Sequence, residues 1–393
     1  MTAFEAVPRI GCVVQDPDEP VPWLVEDGSG CRIEPINQFL RDLVAGDSSP
    51  LTVYSYANDL LRWFRFLWAS RMEWDRAGRD QTRDFVLWMR ESPNPQRERR
   101  RPGAPPAGSL NSRTGKPYLA ARYAPTSINH ALSVVRQFYE FHREGGRGPL
   151  VNPIPEPRRG RGRLNAHHNP MDPVAPHRRG SYRQKVPDPS PRGISDALFD
   201  ELFEAMTSNR DKALLALYVS SGARASELLG LCGADVHWGE HMITVVSKGS
   251  RLRERVPASP DAFVWLALYL DEGFQRPAEE PLWWTLRAPT RPLTYGATRA
   301  MLNRANAKLG TNLTLHDLRH TCGIRLARDP NMTLVDIKTI LRHKSVETTQ
   351  IYTRVRLEEI IEQVLAHYAR PAPTPVLNSA VGYDADELRE LFG

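Results

Sequence analysis

Cysteine is scarce in this chain: four in 393 residues (Cys12, Cys31, Cys232, Cys322), with no Cys-x-x-Cys spacing among them. That excludes a zinc-ribbon or disulfide framework and leaves the reduced, buried thiols of a cytosolic protein as the plain reading. No apolar run approaches the roughly 20 residues that a membrane helix needs. The start, MTAFEAVPRIGCVVQDPDEP, lacks the basic-then-apolar order of a secretion signal. A cytoplasmic protein with no membrane partner is therefore expected. There is no Gly-x-x-x-x-Gly-Lys-Ser/Thr loop for nucleotide phosphates and no convincing carboxylate cluster to hold magnesium. His167, His168 and His177 lie without ligand-like spacing, so neither a cofactor nor a metal is expected.

What is present is ordinary in bulk and uneven in detail. A 41% hydrophobic and 25% charged composition suits a globular protein, and the length suits two domains. The net charge is +6, yet residues 145–193 alone hold ten Lys or Arg against three acids. The rest is close to neutral, with its basic groups in patches. Local basic segments favour a polyanion partner, although a solvated basic linker reads the same way.

Along the chain, residues 1–32 show no periodicity and read as a lead-in. Four helical patterns follow between 33 and 144: around Ile36, Phe39, Leu40 and Leu43; around Val53, Tyr56, Leu60, Trp63, Phe64 and Leu67, with Thr52 as a cap; over 81–90; and over 126–141. Their aromatic stripes read as core. A Pro-, Arg- and Gly-rich loop, 92–124, interrupts them. Residues 145–193, with ten prolines, read as a linker. Its arginines Arg158, Arg159, Arg161, Arg163, Arg178 and Arg179 would suit the backbone of a polyanion such as DNA; tethering with incidental charge is an equal reading. A second domain, 194–370, starts with a helix capped by Ser195. Further on come a β-hairpin (242–246 and 253–256), helices over 260–274 and 295–309, and a stop at Gly310. The tail, 371–393, opens with prolines and ends in an amphipathic stretch too short to stand alone in water.

The stretch 313–356 carries the chemistry. Thr314 and Thr333 each precede a helix-like run and suit an N-cap. His316 and Arg319 are three apart and share one helix face. A titratable imidazole beside a fixed cation with five donors suits a phosphate group. His320, directly after Arg319, reads as structural and directed elsewhere. His343 stands in Leu-Arg-His-Lys-Ser, and Tyr352 follows nine residues later.

The strings His-Asp-Leu-Arg-His-Thr, Leu-Arg-His-Lys-Ser and Thr-Thr-Gln-Ile-Tyr-Thr, in that order, resemble the C-terminal signature of the tyrosine recombinases, or phage integrase family. The resemblance asks for an arginine and a lysine upstream. Arg224 in Ser-Gly-Ala-Arg-Ala-Ser-Glu-Leu, with Glu227 three residues on to orient it, meets the first demand. Lys248 at the hairpin tip meets the second. The implied fold is mainly α with a small β-hairpin: a helical, SAM-like core-binding domain plus a catalytic domain, together a C-shaped DNA clamp. The tail either folds back on its own domain or, as the resemblance implies, packs as a helix on a neighbouring protomer.

The chemistry implied is strand transfer on double-stranded DNA. Arg224 and Arg319 stabilise charge on the phosphoryl oxygens, with His343 hydrogen-bonding one of them. Lys248 protonates the leaving 5′-oxygen, which requires its pKa to fall well below ~10.4. Tyr352 attacks, and His316 takes its proton. Singly, each residue has a bland reading as a core tyrosine, a helix-end histidine or a solvated cation. Together, in order, they do not. The expected protein is an integrase or transposase of a mobile element, dimeric on a core site and tetrameric in the synapse, with element-encoded helper proteins possible. Alternatives are a recombinase resolving chromosome or plasmid dimers, a type IB topoisomerase, and a catalytically silent DNA-binding scaffold. With so short a lead-in, only core-type DNA sites are expected to be bound.

Overall fold

Contacts divide the chain into two units, one of Met1–Asn111 with Gly115–Asp188 and one of Ser112–Thr114 with Pro189–Gly393. The computed structural model describes residues 7–16, 21–95, 103, 105–154, 182–186, 193–247, 251–342, 386, 389 and 390. Among the described residues the fold is mainly α, with two small antiparallel sheets.

In the first unit, strands β1 (Cys12–Gln15) and β2 (Trp23–Glu26) pair antiparallel, ahead of helices α1 (Glu34–Ala45), α2 (Pro50–Ala69), α3 (Arg79–Glu91) and α4 (Pro125–Glu144). The lead-in reading of 1–32 is thus corrected for its described part. Val21, Leu24 and Val25 are buried in the same core as the helices. The hairpin eluded the periodicity reading because each strand has only four residues. It is held by Asn37, fully buried, whose side-chain amide takes the place of a third strand. The amide accepts from the Val25 N–H at 2.8 Å and donates to the Val25 carbonyl at 3.1 Å.

The cap of helix α2 lies three residues before the expected Thr52. Ser49 is the N-cap, accepting from the Thr52 N–H, and Pro50 occupies the first turn, where its missing N–H costs nothing. The aromatic stripes are core. Trp63 is fully buried, meets Phe85 edge-on at 5.0 Å and donates its indole N–H to the Tyr139 hydroxyl at 3.0 Å, which in turn donates to the Trp74 carbonyl at 2.8 Å. The first unit also extends into the expected linker. Ile154 is buried in its core, Thr82 donates to the Pro153 carbonyl at 3.0 Å, and Asn129 exchanges two hydrogen bonds with the backbone of Gln184. These polar anchors carry no hydrophobic period, so sequence patterning misses them.

The second unit comprises α5 (Asp196–Glu204), α6 (Asn209–Ser221), α7 (Ala225–Leu229), the antiparallel sheet β3 (Val236–His237), β4 (Met242–Val246) and β5 (Arg253–Pro257), then α8 (Pro260–Tyr269), α9 (Tyr295–Leu309), α10 (Leu315–Arg328) and α11 (Leu334–Leu341). Ser195 caps α5 as expected, accepting from the Leu198 N–H at 3.4 Å, and Gly310 ends α9 in the left-handed conformation. The helix expected over 260–274 gives way at Leu270 to a wider turn containing Gly273. Helix α6 is buried on nearly every side, packed against α8 and α10. That central position makes its C-terminal end the natural place to present a side chain from a rigid base.

Candidate active site

Helix α6 ends at Gly222, whose φ is +58°. A Cβ there would lie 2.6 Å from Leu341 Cδ2 and 3.0 Å from the Cys322 sulfur, so only glycine lets the chain turn so close to α10 and α11. Two residues on, Arg224 is the N-cap of α7. The Glu227 carboxylate accepts from the Arg224 backbone N–H at 2.8 Å and from its Nη1 at 2.7 Å. Burial pushes the Glu227 carboxyl up. The Arg224 N–H, the Arg342 charge and the Arg224 guanidinium outweigh that and hold it below the ordinary value. It is therefore an anion in the folded protein, and its stabilising effect is lost as pH falls through that lowered value.

Helix α10 opens with Asp317 accepting from both the Thr314 N–H and hydroxyl, and α11 opens with the equivalent box of Thr333 and Asp336. Helix α10 is pinned to the start of the unit by the Ile194 N–H donating to Thr321 Oγ1 at 2.9 Å. Arg319 is almost fully buried. It donates through Nη1 to the Gly222 carbonyl and through Nη2 to the Leu341 carbonyl. One guanidinium thus ties the turn before Arg224 to the end of α11. That helix finishes at Arg342 in the left-handed conformation, and its carbonyl accepts from Arg224 Nη2 at 3.3 Å. Arg224 and Arg319 are brought together by the same two backbone segments.

His316 lies exposed on the face of α10, three residues before Arg319. His320 does not turn away from it. One helical turn on, its ring meets that of His316 with centroids 4.3 Å apart, the consequence of an i, i+4 spacing. Strands β4 and β5 bring the chain to Ser247 and from Arg251, closed by the Ser247 N–H donating to the Leu252 carbonyl at 2.9 Å. Lys248 between them, His343 immediately after Arg342, and Tyr352 lie outside the described residues, as do Arg158, Arg159, Arg161, Arg163, Arg178, Arg179 and all but three residues of the tail. Arg342, which sequence reasoning did not single out, enters the site. Its signal was a second cation beside His343 in Leu-Arg-His. Among the described residues no three His, Cys, Asp or Glu side chains converge as metal ligands. Among the described residues, Arg224 is a partly exposed guanidinium held on the Glu227 carboxylate, Arg319 a buried one held on backbone carbonyls, and His316 an exposed imidazole on the same helix as Arg319, side-chain types that suit a phosphate group.

The chain is also similar to known proteins. Residues 195–359 match the model of the phage integrase family, and residues 36–101 match the phage integrase N-terminal SAM-like domain. The chain is 27% identical over 246 residues to the tyrosine recombinase XerD of Lacticaseibacillus casei, covering 61% of this chain and 75% of that one. It is 32% identical over 155 residues to the tyrosine recombinase XerC of Chlamydia caviae, covering 39% of this chain and about half (49%) of that relative. Among solved structures, the Tn1549 transposon integrase in complex with circular intermediate DNA superposes with a TM-score of 0.54 at 14% identity, covering 81% of this chain and 94% of that one. That last likeness is one of fold.

Proposed function

Since this chain belongs to the phage integrase family of tyrosine recombinases, we propose that it cuts and rejoins double-stranded DNA through a covalent 3′-phosphotyrosine. The observation that carries this reading is the convergence of Arg224 and Arg319 on the Gly222 and Leu341–Arg342 backbone, with Glu227 beneath and His316 on the adjoining helix face. Fixed donors of this kind favour a phosphoryl group most as charge builds on its oxygens in the transition state. The Tyr352 oxygen attacks phosphorus and its proton passes to His316. The bond to the 5′-oxygen breaks, and Lys248 supplies the proton for that leaving group. His343 donates to a non-bridging oxygen. The ester bond lost is replaced by the phosphotyrosine bond, so a partner strand's 5′-hydroxyl reverses the step without nucleotide or metal. The protein acts as a dimer on a core site and a tetramer in the synapse, and Arg158, Arg159, Arg161, Arg163, Arg178 and Arg179 follow the DNA backbone.

Within the family, the reading is an integrase or transposase of a mobile element. The insertion at 92–124 and the long segment 145–193 depart from a compact dimer-resolving layout. The second reading is resolution of chromosome or plasmid dimers, and the likeness to the tyrosine recombinases XerD and XerC is compatible with either. One experiment tests the chemistry. The protein is incubated in EDTA with a pool of randomised duplexes, each nicked so that cleavage becomes irreversible, and run on a denaturing gel. A covalent protein–DNA band that vanishes in Tyr352→Phe is expected. No band despite tight DNA binding overturns the reading in favour of a silent scaffold. The captured sequences then separate the two subtypes, according to whether they match element ends or a dimer-resolution site.

A further inference from the structure

We propose that Arg342 is a positioning residue of the strand-transfer site: through Glu227 it holds Arg224 facing outward and sets where the chain leaves α11 into His343. The proposal rests on the strand-transferase reading above. Arg342 sits at a φ of +52°, a conformation that glycine or asparagine adopts more readily than a long side chain. Its guanidinium could have reached solvent, as most surface arginines do. Instead its side chain is only 5% exposed. Nη2 donates to Glu227 Oε2 at 2.8 Å, Nη1 donates to the Ile340 carbonyl at 2.8 Å, and Nε is buried with no acceptor among the described residues. A buried guanidinium left with one donor unmet, on a backbone that disfavours it, is a costly arrangement that surface solubility does not require.

The geometry shows what the arrangement does. A lone arginine and carboxylate would pair through two parallel hydrogen bonds. Here Arg342 occupies Oε2 of Glu227, which also takes the Arg224 backbone N–H, and Arg224 Nη1 is left with Oε1. Arg224 Nη2 then turns to the Arg342 carbonyl. Each arginine thus fixes the other: Arg342 by competing for the carboxylate, Arg224 by holding the peptide that leads directly to His343. Glu227 is 1% exposed at its side chain whereas Arg224 is 32% exposed, so the lock lies below and the working cation above. Two guanidiniums share one carboxylate, and an arriving phosphate supplies the missing counter-charge. Lysine has a single compact ammonium and cannot hold Glu227 and Ile340 together in the same fork.

The test uses the full chain and a nicked duplex captured covalently from the randomised pool. Arg342→Gly and Arg342→Asn remove the guanidinium while suiting the left-handed backbone. Both are expected to bind the duplex within about threefold of the parent, while single-turnover formation of the covalent complex slows by about thirtyfold, the effect of leaving a buried charged partner mispaired. Arg342→Lys is expected to recover part of that rate. A purely structural role would lower the melting temperature and leave the rate per folded molecule unchanged. Cleavage within threefold of the parent by folded Arg342→Gly or Arg342→Asn overturns the proposal. Should neither fold, Arg342→Lys decides: a parental rate overturns the proposal, and slower cleavage at parental binding supports it. If the parent itself forms no covalent complex, it is the strand-transferase reading that fails.

Discussion

At the scale of single residues, charge placement within the first unit makes a pH dependence measurable away from the candidate site. His130 on α4 stands 2.6 Å from an oxygen of Asp59 on α2, which is also paired with Arg62, and the Tyr56 ring lies edge-on to the imidazole. The hydrogen bond to Asp59 raises the His130 pKa against the opposing effect of burial and of the Arg62 charge. A raised folded value means that the stabilisation is fully present below the ordinary 6.5 and is lost as pH climbs through the raised one. The imidazole is 48% exposed, so solvent screening reduces the contribution to about 0.5 kcal/mol. Amide hydrogen exchange of α2 and α4 should therefore quicken modestly between pH 6 and pH 8 beyond its intrinsic rise. In His130→Gln that excess should disappear; if it persists, another group is responsible.

At the scale of elements, the site depends on how tightly the end of α6 meets α10 and α11. Gly222→Ala places a Cβ against Leu341 and Cys322 in a backbone conformation that already costs an L-residue about 1–2 kcal/mol. The expected loss, including the displaced Leu341 side chain, is about 2 kcal/mol in denaturant unfolding of the full chain. Because the Gly222 carbonyl is also an Arg319 acceptor, the covalent-complex rate of the folded fraction should fall as well. A variant that is destabilised yet cleaves at the parental rate would show that the turn serves packing alone.

At the scale of the whole molecule, the question is what the basic segment 145–193 contributes. A protein that neutralises phosphates releases condensed counterions, and each contact steepens the salt dependence of binding by about 0.9. Replacing Arg158, Arg159, Arg161 and Arg163 by serine should then flatten the slope of log Kd against log salt by roughly 3 to 4. Fluorescence anisotropy over a potassium chloride series, with the captured duplex as probe, reads this directly. An unchanged slope would make the segment a tether whose charge is incidental. Within that segment the described residues Ile154 and Gln184 are fastened to the first unit.

What the sequence determined by itself was local. The caps at Ser195, Thr333 and Gly310, the hairpin strands 242–246 and 253–256, and the aromatic core of α2 and α4 all depend on partners or periods within a few residues. The His316–Arg319 spacing and the Leu-Arg-His and Ile-Tyr-Thr strings were legible for the same reason, and they carried the family. Tertiary structure decided what touches across long separations. Arg319 reaches a carbonyl 97 residues away, Arg342 a carboxylate 115 residues away, and Asn37 completes a hairpin that no pattern announced. A buried guanidinium or amide must satisfy its donors with whatever acceptor the packing brings near. The identity of that acceptor belongs to the fold, because no spacing rule along the chain encodes it.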